Sequence, residues 1–397
     1  MAEDLKAWQR STIRDTMANY RRAQEDYYAG GKPVLDLPHG YKGFSLLAPP
    51  LGSPVARRRV RLIMENMLQA PAGRASMAPT AGLAAVNRTP HVMTMAVTYA
   101  CQCDCRHCSA ADYRDRTRHE KSALNFEELK SVIEQTVDLG TTCLILTGGE
   151  PLLHPRIHDL IAAVDKARSV CTVFTNGEFL SEATVSKMKD AGVFGVFVSL
   201  DDADPGRHDA NRGRPGLADL ARRGVKMCQE AGILTGLSTY VTREKIRNGE
   251  LDAMIDLARR LKVLEVFLFD VIPAGRLAGQ YDCLLGDDDA RFLIDFRAKY
   301  AARLDYPRIV HQTMFASIAY PCVAEGCPAG IVQMHLRANG DVSPCDFTPR
   351  AFGNIRDRPL KEIWDSMAGS PLYAVPSARC RLSKPEFWNA LAQGAGA

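Results

Sequence analysis

From residue 91 onward the chain alternates short β-prone runs with helix-length amphipathic segments, and this rhythm constrains its fold more than any other feature. The β-prone runs cover residues 92–98, 143–147, 170–175, 193–199, 234–241 and 263–270. Helical patterns fill the intervals at 125–139, 155–167, 181–191, 217–231 and 249–261. Strict alternation of this kind implies βαβ units, hence a parallel sheet with right-handed crossovers and helices over its outer face. The periodicity leaves open whether the sheet stays flat or curls. Ligands of such sheets sit at the carboxyl ends of the strands, and the chemically suggestive residues here all follow strand ends.

A chain of 397 residues, 46% apolar and 24% charged, can bury a substantial core and is neither disordered nor fibrous. A net charge of +4 is too small to indicate nucleic-acid binding by itself. The apolar stretches at 193–200 and 263–269 fall far short of the roughly 20 residues needed to cross a bilayer, so no transmembrane span is expected. Met1, Ala2, Glu3 and Asp4 place charge where a signal peptide has its apolar stretch, which points to the cytoplasm.

Residues 1–90 lack that alternation and form a helical N-terminal extension and linker: a polar helical pattern at 4–28, breaks at Gly30, Gly31, Pro38, Pro49 and Pro50, and an Ala/Pro/Gly-rich stretch at 70–89. A second helix at 55–69 carries Arg57, Arg58, Arg59 and Arg61 beside Val60, Leu62 and Ile63. It either packs on the main domain with its arginines solvated or touches a membrane surface or an anionic substrate.

Twelve cysteines in a reducing compartment suggest metal or redox chemistry rather than disulfides. Cys143, Cys171, Cys228 and Cys283 are scattered and read as small hydrophobes. The remaining eight fall into two sets. In the first, three residues separate Cys101 from Cys105 and two separate Cys105 from Cys108, directly after the first strand. Structural zinc generally takes four protein ligands, whereas three thiolates on one loop can hold three corners of a [4Fe-4S] cubane and leave one iron open. Cys103 offers a competing thiol, but ligands separated by one residue are awkward on a cubane, so it reads as a spectator.

The second set is Cys322, Cys327, Cys345 and Cys380. Asn339-Gly340 is a strong hairpin signal. A hairpin there brings Cys327 and Cys345 together and leaves Cys322 and Cys380 to complete four ligands, for an iron-sulfur cluster or for zinc.

The CxxxCxxC loop after a first strand resembles the signature of radical S-adenosylmethionine (SAM) enzymes, and further elements come in order along the chain. Gly148-Gly149-Glu150 at the second strand end resembles the family's GGE element, which holds the SAM methionine amino group. Thr175-Asn176-Gly177 ends the third strand as in the family. Ser199-Leu200-Asp201, with His208 to Gly213 after it, resembles its SLD and HDxxRG stretches, and Pro273 to Arg276 its PxGR. By that resemblance Gly148, Gly149, Glu150, Asn176, Ser199 and Arg212 bind SAM, and His107 lies near the adenine. An arginine suits the methionine carboxylate because its guanidinium pairs bidentately.

The C-terminal pattern resembles the SPASM/twitch extension of these enzymes, including Asn339 to Cys345, Phe352 to Ile355 and Leu360 to Trp364. It lacks the compact second cysteine set of a full SPASM domain, so one auxiliary [4Fe-4S] cluster on Cys322, Cys327, Cys345 and Cys380 is expected. Asp346 matches an acid that serves as a substrate base in some of these enzymes; it can equally cap a turn. The resemblance implies an α/β fold with a partial (β/α)6 radical SAM barrel at 91–305 and a small auxiliary domain at 306–397.

The chemistry implied is reductive SAM cleavage to a 5′-deoxyadenosyl radical that removes a hydrogen atom from a small-molecule substrate, leading to oxidation or rearrangement. A flavodoxin- or ferredoxin-type reductant is implied. Modification of a ribosomally made peptide or protein side chain is the alternative, and a non-catalytic cluster or zinc scaffold the remaining rival.

Overall fold

The computed structural model describes residues 90, 92–113, 123–311 and 327–392, save 142, 167, 302, 304, 375, 376, 378 and 379. The expectations for residues 1–89 and for Cys322 lie outside the described residues.

Six strands form where the alternation places them: β1 (Val92–Thr98), β2 (Cys143–Gly148), β3 (Val170–Thr175), β4 (Gly195–Ser199), β5 (Leu234–Val241) and β6 (Glu265–Asp270). All are parallel and neighbour one another in chain order. The connecting helices include α1 (Phe126–Asp138), α2 (Ile157–Ala163), α3 (Glu182–Asp190), α4 (Pro205–Arg212), α5 (Leu217–Glu230), α6 (Arg243–Arg247) and α7 (Glu250–Arg260). The first of these begins at a capping box: Asn125 accepts from the Glu128 N–H while the Glu128 carboxylate accepts from the Asn125 N–H. Such an N-cap is worth about 1 kcal/mol. Leu129, Val132, Ile133 and Val137 of α1 then share one buried face at helical spacing.

Period-2 alternation along the strands separates two cores. Met93, Met95, Leu144, Leu146, Val196 and Val198 pack outward under the helices. Val92, Ile145, Phe197 and Phe267 face inward with Phe174 and Phe269. The inner phenylalanines pack in pairs, Phe174 stacked on Phe197 at 4.4 Å and Phe267 tilted against Phe269 at 4.6 Å, and close the floor of the curled sheet. Cys143, Cys171 and Cys228 are buried in these cores, where desolvation pushes Cys171 and Cys228 up to about 12, so they are inert packing thiols.

The sheet extends past six strands at both edges. After α8 (Asp287–Ala301), β7 (Arg308–His311) pairs parallel with β6. At the other edge the C-terminal hairpin, β8 (Gln333–Leu336) and β9 (Asp341–Ser343), joins the barrel itself, because β8 pairs parallel with β1. The short β10 (Gly353–Asn354) then lies beside β9 in the sheet. Helices α9 (Leu360–Gly369), α10 (Pro371–Ala374) and α11 (Pro385–Ala392) complete the C-terminal part. No helix among the described residues is long and apolar enough to cross a membrane.

Candidate active site

The loop of residues 99–108 emerges from β1 and is tied down from three sides. From the end of β2, the Gly149 and Glu150 N–H groups donate to the carbonyls of Thr98 and Ala100 at 2.7 and 2.8 Å. This approach needs both glycines: a Cβ on Gly148 would lie 2.2 Å from the Thr98 oxygen, and one on Gly149 2.3 Å from the Ala100 oxygen. From the end of α4, the Arg212 and Asn211 carbonyls accept from the Asp104 and Arg106 N–H groups at 2.7 and 3.0 Å. From the loop after β6, the Arg276 N–H donates to the Cys108 carbonyl at 3.0 Å, and its guanidinium pairs with Asp104. The elements at Gly148–Glu150, Asn211–Arg212 and Arg276 therefore have a plain mechanical task, which is to hold the cysteine loop at the strand ends.

Held in this way, Cys101, Cys105 and Cys108 border a cavity of about 310 Å³, whereas Cys103 does not line it. The Cys103 thiol is buried instead, hydrogen-bonded to Cys101 and Cys105, which hold it far above the usual thiol range together with burial. The same cavity is lined by Gly148, Gly149, Asn176, Ser199, Arg212 and His107.

Glu150 stands behind the cavity wall, fully buried. Its carboxylate accepts from the Thr175 hydroxyl at 2.7 Å and the N–H groups of Asn176 and Leu152 at 2.8 and 3.0 Å. Burial pushes it up to about 7 against the lowering pull of those donors. Arg212 donates through Nε and Nη2 to Asp201 at 2.6 and 2.9 Å, and its Nη1 has no hydrogen-bond partner among the described residues. His107 packs against Tyr240 with the rings tilted and their centroids 3.9 Å apart, and the Lys245 ammonium lies 3.6 Å from the same Tyr240 centroid. Burial lowers His107 to about 4, so its ring is neutral at physiological pH.

The second thiol set reaches the same cavity. Cys327, Cys345 and Cys380 all line it. Cys327 and Cys380 are hydrogen-bonded to each other, which draws Cys327 below the usual thiol range. Burial, and then the charge of Cys327, push Cys345 up to about 12. Asp346 lies beside them. Its Oδ1 is 2.9 Å from His335 Nδ1, its Oδ2 accepts from Gln333 at 3.4 Å, and Thr94 Oγ1 is 2.8 Å from the same His335 nitrogen. Burial would raise the Asp346 carboxyl, but His335 and the Thr94 hydroxyl outweigh it and hold it below the usual range.

Residues that sequence reasoning passed over stand out here. Thr94 and His335 occupy paired positions on β1 and β8, and Asp270, at the end of β6, also lines the cavity. Only the period-2 alternation marks Thr94 as inward-facing; for His335 nothing local signals that its strand joins the barrel.

The donor chemistry fits iron-sulfur centres. Three cavity-facing thiols come from one loop and three more from the C-terminal part. Among the described residues no three His, Cys, Asp or Glu side chains converge as they would around a single metal ion.

The chain matches the family model of the Radical SAM superfamily over residues 95–267 and that of the SPASM iron-sulfur cluster-binding domain over residues 327–374. Among curated proteins it is 29% identical over 287 residues to the AdoMet-dependent heme synthase of Nitratidesulfovibrio vulgaris, covering 68% of this chain and 77% of that one. It is 26% identical to the Fe-coproporphyrin III synthase of Methanosarcina barkeri, covering 74% and 80%, and 26% identical to the PqqA peptide cyclase of Rhizobium meliloti, covering 69% and 73%. Its fold is similar to Streptococcus suis SuiB bound to precursor peptide SuiA, with a TM-score of 0.58 at 18% identity, over 80% of this chain and 70% of that one. The chain thus belongs to the radical SAM superfamily and carries a C-terminal SPASM domain, with a [4Fe-4S] cluster, SAM and auxiliary iron-sulfur binding as its cofactor set.

Proposed function

We propose that this enzyme uses SAM to abstract a hydrogen atom from a small molecule and completes an oxidation or rearrangement of it. When bound, the cluster supplies the electron that splits SAM into methionine and a 5′-deoxyadenosyl radical. One observation carries the reading: Cys101, Cys105 and Cys108 share a single cavity with Cys327, Cys345 and Cys380, so a substrate between them faces the radical on one side and an electron acceptor on the other.

In this reading residues 91–305 are the radical-generating core and 306–397 the auxiliary part, with residues 1–90 as an appended segment. Cys101, Cys105 and Cys108 hold the SAM-binding cluster. Cys327, Cys345 and Cys380, with Cys322, hold one auxiliary cluster. Gly148, Gly149, Asn176 and Ser199 contact SAM, and the unpartnered Arg212 Nη1 takes its carboxylate. Glu150 supports them by fixing the turn after β3. Neutral His107 on Tyr240 offers an apolar edge to the adenine. Asp346 faces the substrate as a base. A flavodoxin- or ferredoxin-type protein in the cytoplasm supplies the electron.

The heme synthase and Fe-coproporphyrin III synthase relatives favour a tetrapyrrole as the small molecule. The PqqA peptide cyclase relative favours a second reading, a peptide substrate. The test is anaerobic reconstitution with dithionite, measuring 5′-deoxyadenosine with Fe-coproporphyrin III or with short peptides added. Stimulation by the tetrapyrrole supports the first reading and stimulation by a peptide the second. No 5′-deoxyadenosine under any condition would sink both. The Cys101→Ala/Cys105→Ala/Cys108→Ala variant should keep about one cluster's worth of iron and sulfide; none, or two, refutes the division of thiols.

A further inference from the structure

Three carboxylates line the cavity, Asp201, Asp270 and Asp346; Arg212 holds the first, and each of the other two is backed by an imidazole on an adjoining outer strand. Asp346 is held by His335 of β8, and Asp270 by His311 of β7, whose Nε2 is 2.6 Å from Asp270 Oδ1. The two differ in what remains free. Both Asp346 oxygens have side-chain partners, whereas Asp270 Oδ2 has none among the described residues.

The neighbours of Asp270 also place it against the auxiliary thiols. The Phe269 ring meets Phe347, two residues beyond Cys345, with centroids 6.3 Å apart. Ile272 packs in one apolar cluster with Cys380, Cys345 and Phe347. Residues on both sides of Asp270 in sequence thus meet the auxiliary segment, and Asp270 lines the cavity together with Cys327, Cys345 and Cys380.

A fixed negative charge beside an iron-sulfur centre favours the oxidised state, more so in a poorly solvated site. We propose that Asp270, held in place by His311, is the carboxylate that sets the reduction potential of the auxiliary site. A lowered potential makes that site pass on an electron received from the substrate rather than retain it. The inference rests on the assignment of Cys327, Cys345 and Cys380 as auxiliary ligands.

The test is an anaerobic redox titration of the reconstituted full chain, tracking the EPR signal of the reduced auxiliary centre in the Cys101→Ala/Cys105→Ala/Cys108→Ala background. Asp270→Asn should shift the reduced-to-oxidised ratio at the parent midpoint about tenfold toward reduced, which is about 59 mV upward for a one-electron couple. Asp270→Glu, which keeps the charge, should stay close to the parent. Should Asp270→Asn fail to load iron, Asp270→Ser is titrated in its place with the same expectation. A loaded centre whose midpoint does not move, or a Glu variant that moves as far as the Asn variant, overturns the inference alone. A background that holds no cluster overturns the ligand assignment first and the inference with it.

Discussion

Arg212, in the last turn of α4, grips Asp201, just past β4, through two parallel hydrogen bonds of 2.6 and 2.9 Å in the buried wall of the cavity. Burial would raise the Asp201 carboxyl, but the Arg212 guanidinium, then His107 and Lys245, hold it well below the usual carboxylate range. Removing one partner of a buried pair leaves an uncompensated charge and costs roughly 3–5 kcal/mol. Arg212→Met should therefore lower thermal stability sharply, and SAM cleavage should fall at least tenfold. Arg212→Met and Asp201→Asn together should recover much of the stability and none of the cleavage. Differential scanning calorimetry of the anaerobic holoprotein reads the first effect, and 5′-deoxyadenosine release the second.

Gly149 gives a different kind of test, because its role is steric. An alanine there puts its methyl group 2.3 Å from the Ala100 carbonyl and 2.6 Å from that of Tyr99, so the cysteine loop must move. Overpacking of this kind costs about 1–3 kcal/mol, but the larger effect is on geometry. Gly149→Ala should lose the SAM-binding cluster while keeping the auxiliary one, roughly halving iron per chain. Unchanged iron content would show that the loop tolerates the shift.

His208 is fully buried, and its Nδ1 accepts from the Asp201 N–H at 3.0 Å. Burial lowers it to about 4, so folding favours the neutral ring. Between that value and the unfolded value near 6.5 the unfolded chain binds more protons, and stability rises with pH. Acidification from pH 7 to 5 should remove on the order of 2 kcal/mol through this residue. His208→Asn, which keeps an acceptor for Asp201, should flatten that slope. Glu150 works in the opposite sense, since its folded value is raised to about 7 and its contribution fades as pH rises through it. Glu150→Gln should therefore steepen the rise of stability with pH, as melting temperatures across this range would show.

Cys103 separates position in sequence from position in space. It lies within the cysteine loop yet does not line the cavity. Cys103→Ser should load iron and cleave SAM within about twofold of the parent, whereas Cys105→Ser should abolish cleavage. A Cys103→Ser variant that loses half its iron would make Cys103 a ligand.

The barrel was legible because its strands are buried on both faces and each ends in a turn with its own chemistry, so Cys101, Gly149, Asn176 and Ser199 announce themselves. Less was legible where structure depends on distant pairing. Arg308–His311 is only four residues long and carries no turn motif, and β8 finds β1 across more than two hundred residues. The hairpin at Asn339-Gly340 could be read locally; its docking onto Val92–Met95 could not. His335 and His311 were missed for that reason, since each gains a role only when an edge strand sets it beside a carboxylate from another element. The Asp201–Arg212 pair was likewise hidden, because the motif names both residues without indicating that they bind each other.

Asp346 bears on whether the cavity does chemistry on a substrate or only generates a radical. Its carboxylate is ionised, braced by His335 and reachable from the cavity. A base placed there removes a substrate proton only after hydrogen abstraction, so its loss should not touch SAM cleavage in the absence of substrate. Asp346→Asn should leave that basal 5′-deoxyadenosine release within about twofold while product formation falls by about 10²-fold or more, the usual range for a positioned general base. His335→Gln keeps a donor toward Asp346, and its loss in kcat should be smaller with KM little changed; His335→Leu should fall between the two. Were Asp346→Asn to retain full turnover, the carboxylate would be a brace between β1 and β8, and the proton would have to leave by another group facing the cavity.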